Sequence, residues 1–200
     1  DIRHAKAFGY KIKQLALARQ HAPEVLELRV GPTLVPYAGD MLASVRDENN
    51  AVSLYLHERE EPLTFIGKGA GMTPTARSIV KDIVSVVKTN PESRKFIYNL
   101  FTDNPRDFSE HQGNFLSRWY LRLTAEDKPG VLGVVATILG NHGISISSLY
   151  QEEKRGINTH VPIAMLLHPA TENKLKAACQ EIRSTPVSYV VDHLAMRVKN

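Results

Sequence analysis

Hydrophobic periodicity is clearest in the C-terminal half of the chain. Trp119, Leu121 and Leu123 alternate with Tyr120 and Arg122, which predicts a strand with one buried face. After a polar loop, apolar residues recur at helical spacing, namely Val131, Leu132, Val135, Ile138 and Leu139. Gly140 and Gly143 are expected to end this helix.

Three more strands and a second helix complete this half. Residues 144–150 and 161–167 predict strands, with "EEKRGIN" as the hairpin between them. Thr171 is placed to cap a helix that continues through Ile182, and residues 187–198 predict the last strand. The order βαββαβ is that of a ferredoxin-like sandwich, with two helices on one face of an antiparallel sheet. Because this fold hosts many functions, the order alone does not identify one.

The N-terminal half is less regular. Residues 2–8 predict the tail of a helix that ends at Gly9, whereas "YKIKQLALARQ" fits either a helix or a strand. "EVLELRVGPTLVP" predicts a strand that ends in a proline-bounded turn. "NAVSLYLHE" and "PLTFIG" predict two strands that pair across the charged turn 58–61. Together the two halves predict an α+β protein, in which a mixed sheet with helices precedes the βαββαβ unit.

A polar connector, residues 91–117, separates the halves. It opens with Pro91 and is interrupted by an Asn-Pro pair and a glycine, so it is interpreted as a linker. Four apolar residues within it would allow one short helix: Phe96, Ile97, Leu100 and Phe101. The predicted domains are therefore 1–90, a linker over 91–117, and 118–200.

The stretch "GKGAGMTPTA", residues 67–76, joins a predicted strand to a predicted helix. The helix follows from the spacing of Ile79, Val80, Ile83, Val86 and Val87. Thr73 is predicted as its N-cap and Pro74 as its first residue.

Two functions remain open for this glycine stretch. Glycines let another group approach the backbone closely, and a helix N-terminus favours an anion, so the turn could face a ligand. It could equally be a plain tight turn. The dinucleotide fingerprint G-x-G-x-x-G fails because Met72 occupies the third glycine position, and the P-loop pattern fails because Gly69 follows Lys68.

Composition narrows the class of protein. Cys179 is the only cysteine, so no internal disulfide can form and a reducing compartment, the cytoplasm, is expected. Cys179 shares a helical stripe with Leu175, Ala178 and Ile182, which predicts core packing and not a nucleophile. The net charge is only +4, and the Lys and Arg residues are interspersed with Asp and Glu. The absence of a basic cluster in the sequence argues against a nucleic-acid partner. We expect no metal site, since the histidines are scattered, and no membrane span or leader peptide.

The segment "LTAEDKPGVLGVVATILGNHGISISSLYQ" resembles the start of an ACT domain, the regulatory module of amino-acid metabolic enzymes. The resemblance spans about residues 118–198 and is carried by the Pro-Gly-Val-Leu turn, the helix and the Gly-Ile-Ser-Ile strand start. It implies an amino-acid effector between the first loop and the start of the second strand, commonly at a dimer interface. The matching positions are Asp127, Lys128, Gly130, His142, Gly143 and Ser145.

The loop chemistry allows two interpretations of these positions. Amides at a helix N-terminus suit a ligand carboxylate, and Asp127 suits its ammonium group. Alternatively Asp127 only caps the helix, with Pro129 as its first residue, and Ser145 is an ordinary strand residue.

Four blocks of the N-terminal half resemble the C-terminal part of the catalytic domain of homoserine dehydrogenase. They are "DIRHAKAFGYKIKQLALARQ", "LELRVGPTLVP", "LASVRDENNAVSLYL" and "FIGKGAGMTPTARSIVKDIV". The family interconverts aspartate semialdehyde and homoserine with NADPH or NADH, on the route to threonine, methionine and isoleucine. The resemblance implies that Gly69, Ala70, Gly71 and Thr73 lie beside the NAD(P) cofactor. It also implies threonine as the effector and a homodimer or higher oligomer.

The same resemblance implies what the chain lacks. The family's catalytic lysine and substrate-holding acids lie upstream of the position that matches Asp1, as does the Rossmann unit. Lys6, Lys11 and Lys13 are interpreted as surface lysines. Since the first residue is not Met, we expect a piece of a longer polypeptide, inactive as a dehydrogenase by itself. The alternative is a stand-alone, non-enzymatic amino-acid-binding or dimerisation module, and the sequence encoded before Asp1 separates the two.

Overall fold

The computed structural model describes residues 1–22, 25–88, 114–151, 160–186 and 190–199. The chain divides into two compact units, one formed by Asp1–Gly39 with Phe108–Asn200 and the other by Asp40–Asp107. The elements in chain order are α1 (Ile2–Ala7), β1 (Tyr10–Ala22), β2 (Val25–Pro36), a 3₁₀ turn (Met41–Ser44), β3 (Asn49–Leu54), β4 (Leu63–Lys68), α2 (Met72–Lys88), β5 (Leu116–Glu126), α3 (Val131–Asn141), β6 (Ile146–Gln151), β7 (His160–Thr171), α4 (Glu172–Ser184) and β8 (Val190–Val198).

A six-stranded sheet, in the order β1-β2-β8-β5-β7-β6, forms the first unit. Its last four strands are all antiparallel neighbours and, with α3 and α4, confirm the predicted βαββαβ order. The hairpin β1–β2 extends this sheet at β8 through a short parallel pairing of Thr33 with Arg197 and Leu34 with Val198. The mixed α+β fold predicted from the sequence is therefore observed, with both halves of the chain contributing to one sheet.

Strand β1 settles the segment whose pattern fitted either a helix or a strand. It pairs with β2 from Tyr10 opposite Pro36 to Ala22 opposite Val25. Strand β2 passes through Gly31 and Pro32, so the glycine-proline pair does not end it as a turn. A helix and a strand ladder both satisfy the backbone hydrogen bonds of this segment. The choice depends on pairing with β2, which lies outside the segment, so local spacing could not decide it.

The main core lies between one face of the sheet and helices α3 and α4. It contains the alternating residues Trp119, Leu121 and Leu123 of β5, as predicted. Cys179 is 3% exposed within this core, and desolvation raises the pKa of its thiol to about 11, so it is a packing residue. Burial of this face accounts for the hydrophobic periodicity of both helices.

A second, smaller core covers the opposite face, and it corrects the prediction that β5 has one buried face. Tyr120 is fully buried there, together with Ala5 of α1, Leu34 of β2 and Met196 of β8. The Tyr120 hydroxyl donates to Asp1 Oδ1 at 2.8 Å. Helix α1, which the βαββαβ pattern does not include, covers this face, so the strand is buried on both sides.

A buried cluster of charges ties β2, β5, β8 and α4 together. Arg197 donates from Nη1 to Glu27 Oε1 at 2.8 Å and to Ser117 Oγ at 2.9 Å, and from Nη2 to Glu172 Oε2 at 2.8 Å. Its guanidinium also lies 5.0 Å from the centre of the Trp119 ring. Glu27 is 5% exposed, so each of its contacts offsets the desolvation of a carboxylate.

The second unit is the predicted hairpin followed by a helix. Strands β3 and β4 pair from Asn49 opposite Lys68 to Leu54 opposite Leu63, across the charged turn. The apolar side chains of α2 are exposed, as are Val52 and Phe65 of the hairpin. The predicted connector helix, the "EEKRGIN" turn and residues 187–189 lie outside the described residues.

Candidate functional site

The glycine stretch lies at the surface of the second unit, where β4 ends and α2 begins. The Gly69 amide donates to the Glu48 carbonyl at 2.9 Å, and Lys68 pairs with the Glu48 carboxylate at 2.8 Å. A Cβ on Gly69 would lie 1.7 Å from Asn50 Nδ2. A side chain at position 69 would therefore have to displace the exposed Asn50 amide.

Helix α2 begins at Met72, so the prediction of Thr73 as its N-cap and Pro74 as its first residue is wrong. Gly71, at φ +110°, precedes the helix, and its carbonyl accepts from the Thr75 amide. Glycine reaches this backbone conformation without strain, so it turns the chain into the helix two residues earlier than a cap at Thr73 would. Pro74 then lies within the first turn, where its missing amide costs nothing.

Exchanging Gly69 for alanine is expected to destabilise the β3–β4 hairpin by about 0.5 kcal/mol, since the new methyl group must displace the exposed Asn50 side chain. Hydrogen exchange of the hairpin amides measures this loss. Removing the Asn50 amide in the same chain, as Asn50→Ala/Gly69→Ala, should restore most of the protection. Gly67→Ala is the matched control, because nothing lies within 4 Å of its Cβ position. Equal loss in the single and the double variant would contradict the proposed collision.

The first three predicted effector positions lie at the N-terminus of α3. The helix begins at Val131 with Gly130 as its N-cap, at φ +90°, so neither Pro129 as first residue nor Asp127 as cap is correct. Asp127 instead accepts from Gln151 Nε2 at 3.3 Å, and Lys128 pairs with Glu126. That hydrogen bond from Lys128 lowers the pKa of the Glu126 carboxyl. At the helix start, the Val131 amide donates to the Lys128 carbonyl at 3.4 Å.

The other three predicted positions lie at the C-terminus of α3. Gly143, at φ +69°, donates to the Gly140 carbonyl, which ends the helix as the glycine pattern predicted. His142 Nε2 lies 2.8 Å from Glu181 Oε2 of α4. The Ser145 side chain is exposed, while its carbonyl accepts from the His168 amide.

These two groups of effector positions do not meet within the chain. Helix α3, eleven residues long, separates them by about 16 Å at 1.5 Å per residue. Along the sheet, Asp127 lies by the end of β6, next to Gln151, and Ser145 lies just before its start at Ile146. The predicted effector positions therefore form two groups, which we call the half-sites, at opposite ends of one edge strand.

The sequence interpretation missed the charged cluster around Arg197 and the network around Tyr120. In the latter, Arg122 Nε donates to Asp1 Oδ1 at 2.9 Å, and His4 Nδ1 lies 3.3 Å from the phenol oxygen. The partners within the Tyr120 network are 116–121 residues apart, so no local spacing indicates them. Charged residues such as Arg122 within β5 are the local signal.

Comparisons with known proteins agree with both halves of the sequence interpretation. Residues 1–84 match the homoserine dehydrogenase family, and residues 119–186 match the ACT domain family. A homoserine dehydrogenase of Pseudomonas aeruginosa is 38% identical over 185 residues, which are 89% of this chain and 41% of that protein. One from Synechocystis is 33% identical, over 91% of this chain and 43% of its own length.

Solved structures of homoserine dehydrogenases are also similar to this chain. A homoserine dehydrogenase from Thiobacillus denitrificans superposes with a TM-score of 0.72 at 31% identity, over 100% of this chain and 45% of that one. The Staphylococcus aureus enzyme at pH 8.5, at 20% identity and a TM-score of 0.56, shares the fold over 100% of this chain and 44% of its own. The chain thus spans less than half the length of these relatives.

Among the described residues, no helix has both the length and the apolar character that crossing a bilayer requires. Their His, Cys, Asp and Glu side chains form no group of three or more that could hold a metal ion.

Proposed function

Since the chain belongs to the homoserine dehydrogenase family through residues 1–84 and carries an ACT domain over residues 119–186, we propose that it is the C-terminal portion of a regulated homoserine dehydrogenase. The whole enzyme would interconvert L-homoserine and L-aspartate 4-semialdehyde with NAD(P), in threonine, methionine and isoleucine biosynthesis. The single observation that carries the proposal is the order of the two matches along one chain. A cytoplasmic location fits its single, buried thiol.

The cofactor role proposed for Gly69, Ala70, Gly71 and Thr73 is supported by exposure. All four residues are exposed, at the N-terminus of a seventeen-residue helix. Among the described residues, no backbone acceptor contacts the amides of Met72 and Thr73, so they are available to an anionic group of a nucleotide. NAD(P) would supply hydride transfer when bound, and these residues would only bind and orient it.

The dehydrogenase proposal has a direct activity test. This sequence contains no G-x-G-x-x-G fingerprint, so the purified 200-residue chain should give no turnover with L-homoserine and NADP above a no-protein blank. Turnover above that blank would refute the expected inactivity of the chain alone. Fusing the chain to the preceding half of the Pseudomonas aeruginosa relative should restore turnover, and a well-folded but inactive fusion would count against the enzyme assignment.

We further propose that the two effector half-sites are completed by a second copy of the chain, with L-threonine as the ligand. Strand β6 is an edge of the sheet, and Leu149 and Tyr150 on it are partly exposed. Antiparallel pairing of β6 with β6 of a second copy sets the end of one strand against the start of the other. That arrangement would bring Asp127 of one copy to Ser145 of its partner, so that Asp127 faces an ammonium group and the α3 amides face a carboxylate.

Mixing two variants tests this arrangement. Asp127→Ala and Ser145→Ala should each abolish the rise in unfolding temperature that L-threonine causes in the wild-type chain. When the two variants are unfolded together and refolded, about a quarter of the sites should again combine an intact Asp127 with an intact Ser145. Calorimetric titration counts these sites. Absence of binding in the mixture, with threonine binding retained by the wild type, would exclude a shared site, and no response of the wild type to threonine, isoleucine or methionine would exclude amino-acid sensing.

A further inference from the structure

A groove runs between the C-terminal part of α4 and strand β8, and we call it the α4–β8 groove. It encloses about 410 Å³ and is lined by Lys176, Cys179, Gln180, Arg183, Ser184 and His193. The first four of these residues follow the spacing i, i+3, i+4 and i+7, so they form one stripe of the helix. His193 reaches the groove from β8, where it pairs opposite Leu123 of the central strand.

The lining carries basic groups and no carboxylate. Lys176 and Arg183 contribute cations, and His193 adds an imidazole. The carboxylates of α4 are engaged elsewhere, since Glu172 pairs with Lys176 and Arg197 and Glu181 pairs with His142. Since Lys176 already pairs with Glu172, Arg183 is the cation of the lining whose charge is not matched by a carboxylate among the described residues.

Arg183 is the residue best placed to bind a ligand in the α4–β8 groove. In the part of the chain that the structure describes, it makes no ion pair and no side-chain hydrogen bond. It also lines an adjacent cavity of about 240 Å³ with Glu126, but that carboxylate is paired with Lys128. The planar guanidinium can therefore offer two parallel N–H groups to an oxyanion.

The other side chains of the lining carry no negative charge. The Cys179 thiol is buried, and desolvation raises its pKa to about 11, so it stays neutral near pH 7. Gln180 adds an uncharged amide with two N–H donors. The negative end of the α4 dipole favours the cation of Arg183 in the last turn and partly opposes an anion there, and Glu172 accounts for Lys176. Binding therefore depends on the two parallel N–H groups that Arg183 offers.

We propose that the α4–β8 groove binds a small oxyanion, a carboxylate or a phosphate, with Arg183 as its two-pronged partner and Lys176 and His193 beside it. The site shares no residue with the amino-acid half-sites at the two ends of α3. It goes beyond the proposed function, because it gives the C-terminal unit a second class of ligand.

Titrations of the isotope-labelled 200-residue chain with inorganic phosphate and with succinate, at constant ionic strength, test the site by NMR. Saturable shifts of the Arg183 side-chain Nε–H signal and of the His193 amide are expected with millimolar affinity for at least one anion. The arm that saturates at lower concentration identifies phosphate or carboxylate as the preferred group. Linear, non-saturating shifts in both arms up to about 50 mM would overturn the proposal.

Variants assign the binding to the groove. Arg183→Gln should weaken binding of the preferred anion by about tenfold, and Arg183→Lys should weaken it too, because the ammonium cannot bind two oxygens in parallel. Lys81→Gln removes an equal charge from an exposed position of α2 and should leave binding unchanged. If Arg183→Gln does not fold, Arg183→Lys decides the matter. Wild-type affinity in a folded Arg183 variant, or equal weakening by Lys81→Gln, would show that the anion does not bind in the α4–β8 groove.

Discussion

Replacing Arg197 by methionine is expected to lower the free energy of unfolding of the first unit by about 3 kcal/mol. The guanidinium contacts two carboxylates and a hydroxyl at 2.8–2.9 Å, and its side chain is only 11% exposed. Its removal leaves Glu27 buried with fewer partners. The cost stays at the low end for a broken buried pair, because His21 and Arg29 still lie 3.0 and 3.3 Å from the Glu27 carboxylate.

Urea denaturation followed by tryptophan fluorescence measures this loss in the correct unit, since Trp119 is the only tryptophan of the chain. Arg183→Met is the matched control, because Arg183 is exposed on α4 of the same unit, and its removal should change stability by less than about 0.5 kcal/mol. Converting both partners, as Glu27→Met/Arg197→Met, should recover part of the loss, since no unpaired buried charge then remains in that pair. If Arg197→Met unfolds at the same urea concentration as the wild type, the cluster contributes nothing to stability.

Truncating Tyr120 to alanine is expected to cost about 3–5 kcal/mol of stability, the range for removing a buried aromatic ring. The ring is fully buried between the sheet and α1, and its edge meets Phe8 at a centroid distance of 6.5 Å. Tyr120→Phe keeps the ring and removes only the hydroxyl that donates to Asp1, so it should cost about 1 kcal/mol. Urea midpoints measure both, and similar losses in the two variants would show that the hydroxyl network, not the ring, secures α1.

The wild type and Tyr120→Phe are also expected to differ in stability at alkaline pH. Desolvation, partly opposed by Arg122, raises the pKa of the Tyr120 phenol from 10.0 to about 12. The folded state therefore holds this proton more tightly than the unfolded state, so the stabilisation is complete below pH 10 and is lost as the pH rises through 12. Between these values the wild type should lose stability more steeply than Tyr120→Phe. Identical pH dependence of their urea midpoints would contradict this burial effect.

Local patterns predicted the elements of the C-terminal half, because each depends on spacing within a few residues. The stripe of Val135, Ile138 and Leu139 and the terminating Gly143 are examples. The same patterns misplaced helix starts at Thr73 and Pro129, since proline and a polar residue signal a helix entry only approximately. In both cases a glycine with positive φ, Gly71 or Gly130, sets the true boundary.

Long-range features could not be predicted from spacing. The pairing of β2 with β8 joins Thr33 to Arg197, and the burial of Tyr120 depends on a helix at the other end of the chain. The sequence predicted the helix between the two groups of predicted effector positions, but not that they lie at opposite ends of β6. Whether two of these residues reach one site from the same copy or from two copies depends on the direction of β6. That direction is known only from the folded sheet.

The participation of the first 39 residues in the large sheet has a practical consequence for anyone who wishes to isolate the regulatory half. A shortened polypeptide that started at residue 118 would retain Tyr120, Leu166 and Met196 but lose the helix and hairpin that shield them. Such a fragment would expose a hydrophobic surface to solvent and aggregate during purification. Expression vectors for this half should therefore keep the leading segment, joined by a spacer in place of the second unit.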